Sequence, residues 1–274
     1  MWDPPDEVSS RDFVAQRSNV FLSILALFCF KLFIKLSPLH DAAAQGRLWV
    51  LKTLLLQGHD VNTVTVHQIT PLHEACLGQH VACARALVDA GANVEAHTTE
   101  GFTPMFYACA SGSAMCAEVL LAHGARPQGP LYWPSPLHKA SSQGHAGCVE
   151  VLLTWGADMD LEVPDLGTPL FTACVSQELL SVRQLLRDGC DVQKGRCQNT
   201  PLHAAVQIGH ASITKLLLEF GADVNARNAE SQRPVDLAPP GGATETLLMA
   251  YEEDLVPLAE WVWSPGLSGS GPPV

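Results

Sequence analysis

"TPLHEACLGQH", Thr70 to His80, places His73, Glu74 and Cys76 within seven residues. Such a set reads as a metal site, as a catalytic cluster, or as no chemistry at all. The number of copies decides between them. "SPLHDAAAQG" begins at Ser37, "TPMFYACASG" at Thr103, "SPLHKASSQG" at Ser135, "TPLFTACVSQ" at Thr168 and "TPLHAAVQIG" at Thr200, with a worn copy, "RPVDLAPPGG", at Arg233.

The prolines of these copies stand at 38, 71, 104, 136, 169, 201 and 234, so the spacing is always 32 or 33 residues. A fixed period of this length marks a solenoid of stacked modules, and the module resembles the ankyrin repeat. Each Ser or Thr before the first six prolines is placed to cap a helix through its hydroxyl. Proline at the first helical position loses no needed hydrogen bond. Eight residues on, Gly46, Gly112, Gly144 and Gly209 can close that helix in a left-handed turn. Gln79 and Gln177 stand there in two copies, so those turns are expected to be strained. A leucine-rich pair follows sixteen and seventeen residues past each of the first six prolines, from Leu54-Leu55 to Leu217-Leu218. Gly58, Gly91, Gly124, Gly156, Gly189 and Gly221 then end a second helix. The unit reads as helix, turn, helix, hairpin, and one unit buries its apolar faces only against neighbours. The expected fold class is therefore all-α: a solenoid of about six full repeats plus a degenerate C-terminal one, with short β-hairpin connections.

Periodicity answers the opening question. His40, His73, His138 and His203 share the slot two past the proline, and Phe106 and Phe171 fill it elsewhere. A ligand or catalytic histidine would not recur along a rod and yield to phenylalanine twice. Cys76, Cys109 and Cys174 share one slot, Cys83, Cys116 and Cys148 another, and they read as small core residues. No zinc spacing, phosphate loop, nucleophile elbow or dinucleotide fingerprint is present. The sequence thus argues for no metal, no cofactor, no catalytic residue and no enzyme. Acidic residues number 28 against 16 basic, for a net charge of -12, which argues against a nucleic-acid partner. Nine cysteines without a secretory leader favour a reducing, cytoplasmic setting.

Four segments are expected: residues 1–17, polar and acidic; 18–36, apolar; 37–238, the repeats; and 239–274, a degenerate cap with a disordered tail. The run "SNVFLSILALFCFKLFIKL" is uncharged only from Asn19 to Phe30. That is short of the roughly 20 apolar residues of a membrane span. It reads either as a cover for the first repeat or as a membrane-surface element. Leu153, in a middle repeat, is expected to be core, and Leu248, near the end, to be frayed.

The variable positions fall on the hairpin tips and on the ends of the first helices, which line the concave side. At the tips stand His67, Ile69, Glu100, Phe102, Tyr132, Trp133, Asp165, Arg196 and Asn199. On the helix ends stand Leu77, Ser111 and Gln143. This surface is the expected partner-binding face. Trp133 either anchors a partner, as buried aromatics do at interfaces, or packs on the neighbouring hairpin.

The strings "ITPLHEACLGQHVACARALVDAGANV", "SPLHKASSQGHAGCVEVLLTWGADMD", "VPDLGTPLFTAC" and "LLLEFGADVNARNAE" go beyond a generic repeat. They resemble the ankyrin-repeat and SOCS-box family over roughly residues 18 to 238. The resemblance implies a substrate protein on the concave face. It also implies a C-terminal box that docks elongin B/C and a cullin, making the chain a substrate adaptor in the ubiquitin conjugation pathway. A box would bring an "S-L-x-x-L-C-R" helix and an "L-P-x-P" element. The ending "EEDLVPLAEWVWSPGLSGSGPPV" offers neither, so the box is expected to be absent. Without it, a plain ankyrin scaffold or inhibitor that sequesters its partner is the alternative.

Overall fold

The structure, a computed structural model, describes residues 37–129 and 135–255. The first six copies fold as helix pairs. They are α1 (Pro38–Ala44) with α2 (Leu48–Leu56), α3 (Pro71–Leu77) with α4 (Val81–Asp89), and α5 (Pro104–Ser111) with α6 (Ala114–Ala122). Then come α7 (Pro136–Ser142) with α8 (Ala146–Thr154), α9 (Pro169–Val175) with α10 (Leu179–Arg187), and α11 (Pro201–Ile208) with α12 (Ala211–Glu219). The worn seventh copy shrinks to a 3-10 turn, Pro234–Leu237, and α13 (Ala243–Leu255) closes the described stack.

Local chemistry starts each helix as the spacing requires. Ser37, Thr70, Thr103, Ser135, Thr168 and Thr200 are extended, with ψ between 154 and 165°. The hydroxyls of Ser37, Thr103, Ser135, Thr168 and Thr200 accept from the backbone N–H three residues on, for example Phe171 N to Thr168 Oγ1 at 3.2 Å. Each such cap contributes about 1 kcal/mol. At the far ends, Gly58, Gly91, Gly124, Gly156, Gly189 and Gly221 all sit at φ between 82 and 89°. Gln79 (φ 59°) and Gln177 (φ 63°) adopt the same left-handed conformation without being glycine, the strain expected of them.

Side-chain size bends the stack. The first helices carry Ala42-Ala43, Ala75-Cys76, Ala108-Cys109, Ala140-Ser141 and Ala173-Cys174, nearly all fully buried. Small residues let first helices approach more closely than the leucine-bearing second helices do. The concave side therefore lies along the first helices. Leu87, Leu120, Leu152, Leu185 and Leu217 are all 0% exposed and form a continuous row through the second helices.

Two expectations change. The hairpins are tight turns rather than strand pairs. Among the described residues the ladder reduces to isolated bridges, Val163 with Gly167 and Arg196 with Asn199. Four or five residues per finger leave room for a turn closed by one or two backbone bonds, such as Thr98 N to Phe102 O at 3.0 Å, and not for a continuous ladder. Leu248 is not frayed: it is 0% exposed, whereas Leu153 is half-buried. The reason is that α13 lies across α12 and takes the place of a further repeat.

Candidate functional site: the concave face

The four histidines at the helix starts are joints. In each, Nδ1 lies 2.8–2.9 Å from the cap hydroxyl of Ser37, Thr70, Ser135 or Thr200. Nε2 lies 2.8–3.2 Å from a carbonyl 29 residues later: Ile69, Phe102, Gly167 or Gln232. A carbonyl only accepts, so Nε2 carries the proton and Nδ1 is the acceptor. The backbone N–H groups of Thr70 and Thr200 donate to Nδ1 at 3.1 Å, which fixes the neutral tautomer. Burial lowers the pKa of all four, that of His73 to about 4. Where Phe171 replaces histidine, the Thr168 hydroxyl turns to donate to Lys194 O at 2.9 Å.

The thiols are equally committed. Cys76, Cys83, Cys109, Cys116, Cys148 and Cys174 are at most 1% exposed. Burial pushes the Cys174 thiol up, and burial with Asp160 and Asp191 nearby raises that of Cys190 to about 12. Among the described residues no cluster of three or more His, Cys, Asp or Glu could hold a metal. No helix among them is long and apolar enough to cross a membrane. A cleft of about 380 Å³ opens between the first two fingers, lined by Val64, Gln68, Asn93 and His97 among others. It holds no nucleophile with an adjacent base, and nothing in the sequence singled it out.

The twelve residues expected on the partner face divide by what they already touch. Ile69 is 8% exposed, so its side chain is core and does not present to solvent. Its carbonyl receives His40. Ser111 spends its hydroxyl on Cys76 O (2.9 Å) and Ala108 O (3.1 Å), a bolt between two repeats. Asn199 is half-buried and accepts from Asn228 Nδ2 at 3.2 Å. Phe102 stacks on Phe106 with centroids 4.2 Å apart and planes 14° apart, leaving it half-exposed. The His67 carbonyl accepts from Thr99 N at 3.0 Å, lacing two neighbouring fingers. Leu77 and Gln143 are half-buried at the ends of α3 and α7. Glu100 is exposed at its tip. Asp165, 89% exposed at its side chain, faces Arg196 at 3.8 Å across adjacent fingers. Tyr132 and Trp133 lie outside the described residues.

Sequence reasoning missed one row. Three residues past the proline stand Glu74, Tyr107 and Lys139, ionisable or polar yet only 5–6% exposed. They occupy a slot that period alone marks as variable. Only the close approach of the first helices shows that it is covered.

The comparisons agree with this architecture. The family profile "Ankyrin repeats (3 copies)" matches residues 39–129 and 137–228. The chain is 59% identical to Ankyrin repeat and SOCS box protein 5 of Bos taurus, covering 89% of this chain and 85% of that one. It is 54% identical to Ankyrin repeat and SOCS box protein 11 of Homo sapiens, covering 79% and 67%. Among solved structures it resembles the human ASB11 ankyrin repeat domain with a TM-score of 0.76 and 48% identity, covering 78% of this chain and 97% of that one.

Proposed function

We infer that this chain, which belongs to the ankyrin repeat and SOCS box family, is a non-catalytic adaptor that holds a substrate protein on its concave face. One observation carries the reading. The groups that repeat from module to module are used up in joints, while the finger tips that differ reach the surface, notably Glu100, the half-exposed ring of Phe102 and the Asp165–Arg196 pair. An array whose exposed finger tips differ from module to module is suited to reading one partner. In the family the substrate-bearing repeats are linked through elongin B/C to a cullin, and by that analogy this chain selects proteins for ubiquitination. The buried thiols suit a reducing, cytoplasmic setting.

Two measurements test this. The repeat surface is used to capture partners by proximity labelling, and the affinity of the recovered protein is measured for Phe102→Ala and for Asp165→Lys with Arg196→Glu. A loss of at least about tenfold, or 1.4 kcal/mol, with an unchanged circular dichroism spectrum supports the concave face. Unchanged affinity removes it. Co-purification of elongin B/C with the full chain supports the adaptor reading, and its failure leaves a scaffold that occupies its partner without marking it.

A further inference from the structure

Slot-by-slot comparison of the six helix pairs shows one that is incompletely covered. Twelve residues past the proline, Cys83, Cys116, Cys148, Ser181 and Ile213 are 0–1% exposed, while Val50 in the first repeat is 44% exposed. Sixteen past, the side chain is fully buried in each of the five later repeats, but Leu54 is only half-buried. The proline itself is buried in the later repeats and exposed at Pro38. By contrast, Trp49 (85%) sits in a slot where Met115 (55%) and Leu180 (63%) are exposed too, so it belongs to the outer, convex side. The open positions are therefore those that a preceding module covers, and they are apolar.

We propose that residues 19–36 of this chain dock on that face, over Pro38, Val50 and Leu54, and seal the first end of the solenoid. The segment lies outside the described residues, but its sequence and its attachment argue for it. "NVFLSILALFCFKLFIKL" runs directly into Ser37, so no linker has to be crossed. Its twelve uncharged residues, Asn19 to Phe30, match an apolar surface. The opposite end sets the precedent: there α13 covers the last repeat and buries Leu248 completely. Terminal repeats of a solenoid need such a cover, because each internal face is apolar. This inference is independent of the partner reading above.

Hydrogen exchange on the full chain tests it. The unaltered protein is expected to protect residues 19–36 by at least about tenfold over an unstructured segment. Val50→Asp with Leu54→Asp should abolish that protection, and Trp49→Asp should leave it intact. Free exchange of residues 19–36 in the unaltered chain overturns the proposal without needing any variant. So does protection that survives the double substitution. Protection that disappears on dilution, together with a fall in sedimentation coefficient, assigns the face to a second copy and overturns it. Protection seen only with phosphatidylcholine–phosphatidylserine vesicles assigns the segment to a membrane surface and overturns it as well.

Discussion

His73 donates from Nε2 to the carbonyl of Phe102, 29 residues on, at 3.2 Å. The same contact recurs at His40, His138 and His203, so in four of the six helix pairs an imidazole ties the start of a helix to the base of the following finger. Because Nδ1 already accepts, the ring has no room for a second proton.

That geometry predicts acid sensitivity. The folded pKa lies below the ordinary 6.5 for all four rings, and at about 4 for His73. The unfolded chain therefore takes up protons that the folded chain refuses. Stability is full above about pH 6.5 and falls as pH drops towards 4, on the order of 3 kcal/mol for His73 alone. Urea unfolding at pH 7.5 and 5.0 should show the loss. His73→Phe, a residue this slot holds at Phe171, should flatten the dependence while costing about 1–3 kcal/mol at neutral pH, because the buried Thr70 N–H loses the Nδ1 acceptor and the Phe102 carbonyl loses the Nε2 donor.

Burial ranks the leucines. Leu152→Ala should cost about 2–5 kcal/mol, since the side chain is fully enclosed and leaves a cavity. Leu153→Ala should cost less. Leu248→Ala should match Leu152, because α13 buries it completely. A denaturation midpoint for Leu248→Ala close to that of the unaltered protein would contradict the cover formed by α13.

Glycine belongs where Gln177 stands. At φ 63° the residue carries left-handed strain, and it is exposed. Gln177→Gly should raise stability by about 1 kcal/mol. Gln79→Gly should gain less, because the Gln79 side chain donates to Ser111 O. Thermal melting of the two variants checks the order.

Tyr107→Phe should be neutral or stabilising by about 1 kcal/mol. The Tyr107 hydroxyl is buried without a hydrogen-bond partner, and burial pushes its pKa up. A loss of more than about 1 kcal/mol in urea would mean that the hydroxyl is satisfied in solution.

The proposed partner surface was legible only in outline. Variable positions could be located by period; of these, Glu100 and Asp165 are exposed and Arg196 is half-buried. Ile69 is buried, and Ser111 and Asn199 are already bonded within the stack. Nothing about alternation or spacing distinguishes an exposed finger residue from one that its neighbour covers.

What the sequence by itself determined is everything that acts within about eight residues. Ser or Thr before proline starts the first helix of each pair, and glycine at φ near 85° ends each second one. These are local steric and hydrogen-bonding preferences, so the period, the helix pairs and the class of fold follow directly. What only the tertiary structure decided are contacts between residues some 29 to 36 apart. They include the destination of each imidazole, the burial of Leu248 and Ile69, and the uncovering of Val50. Those depend on how closely one module's small-residue helix approaches the next, a packing distance that no single repeat encodes alone.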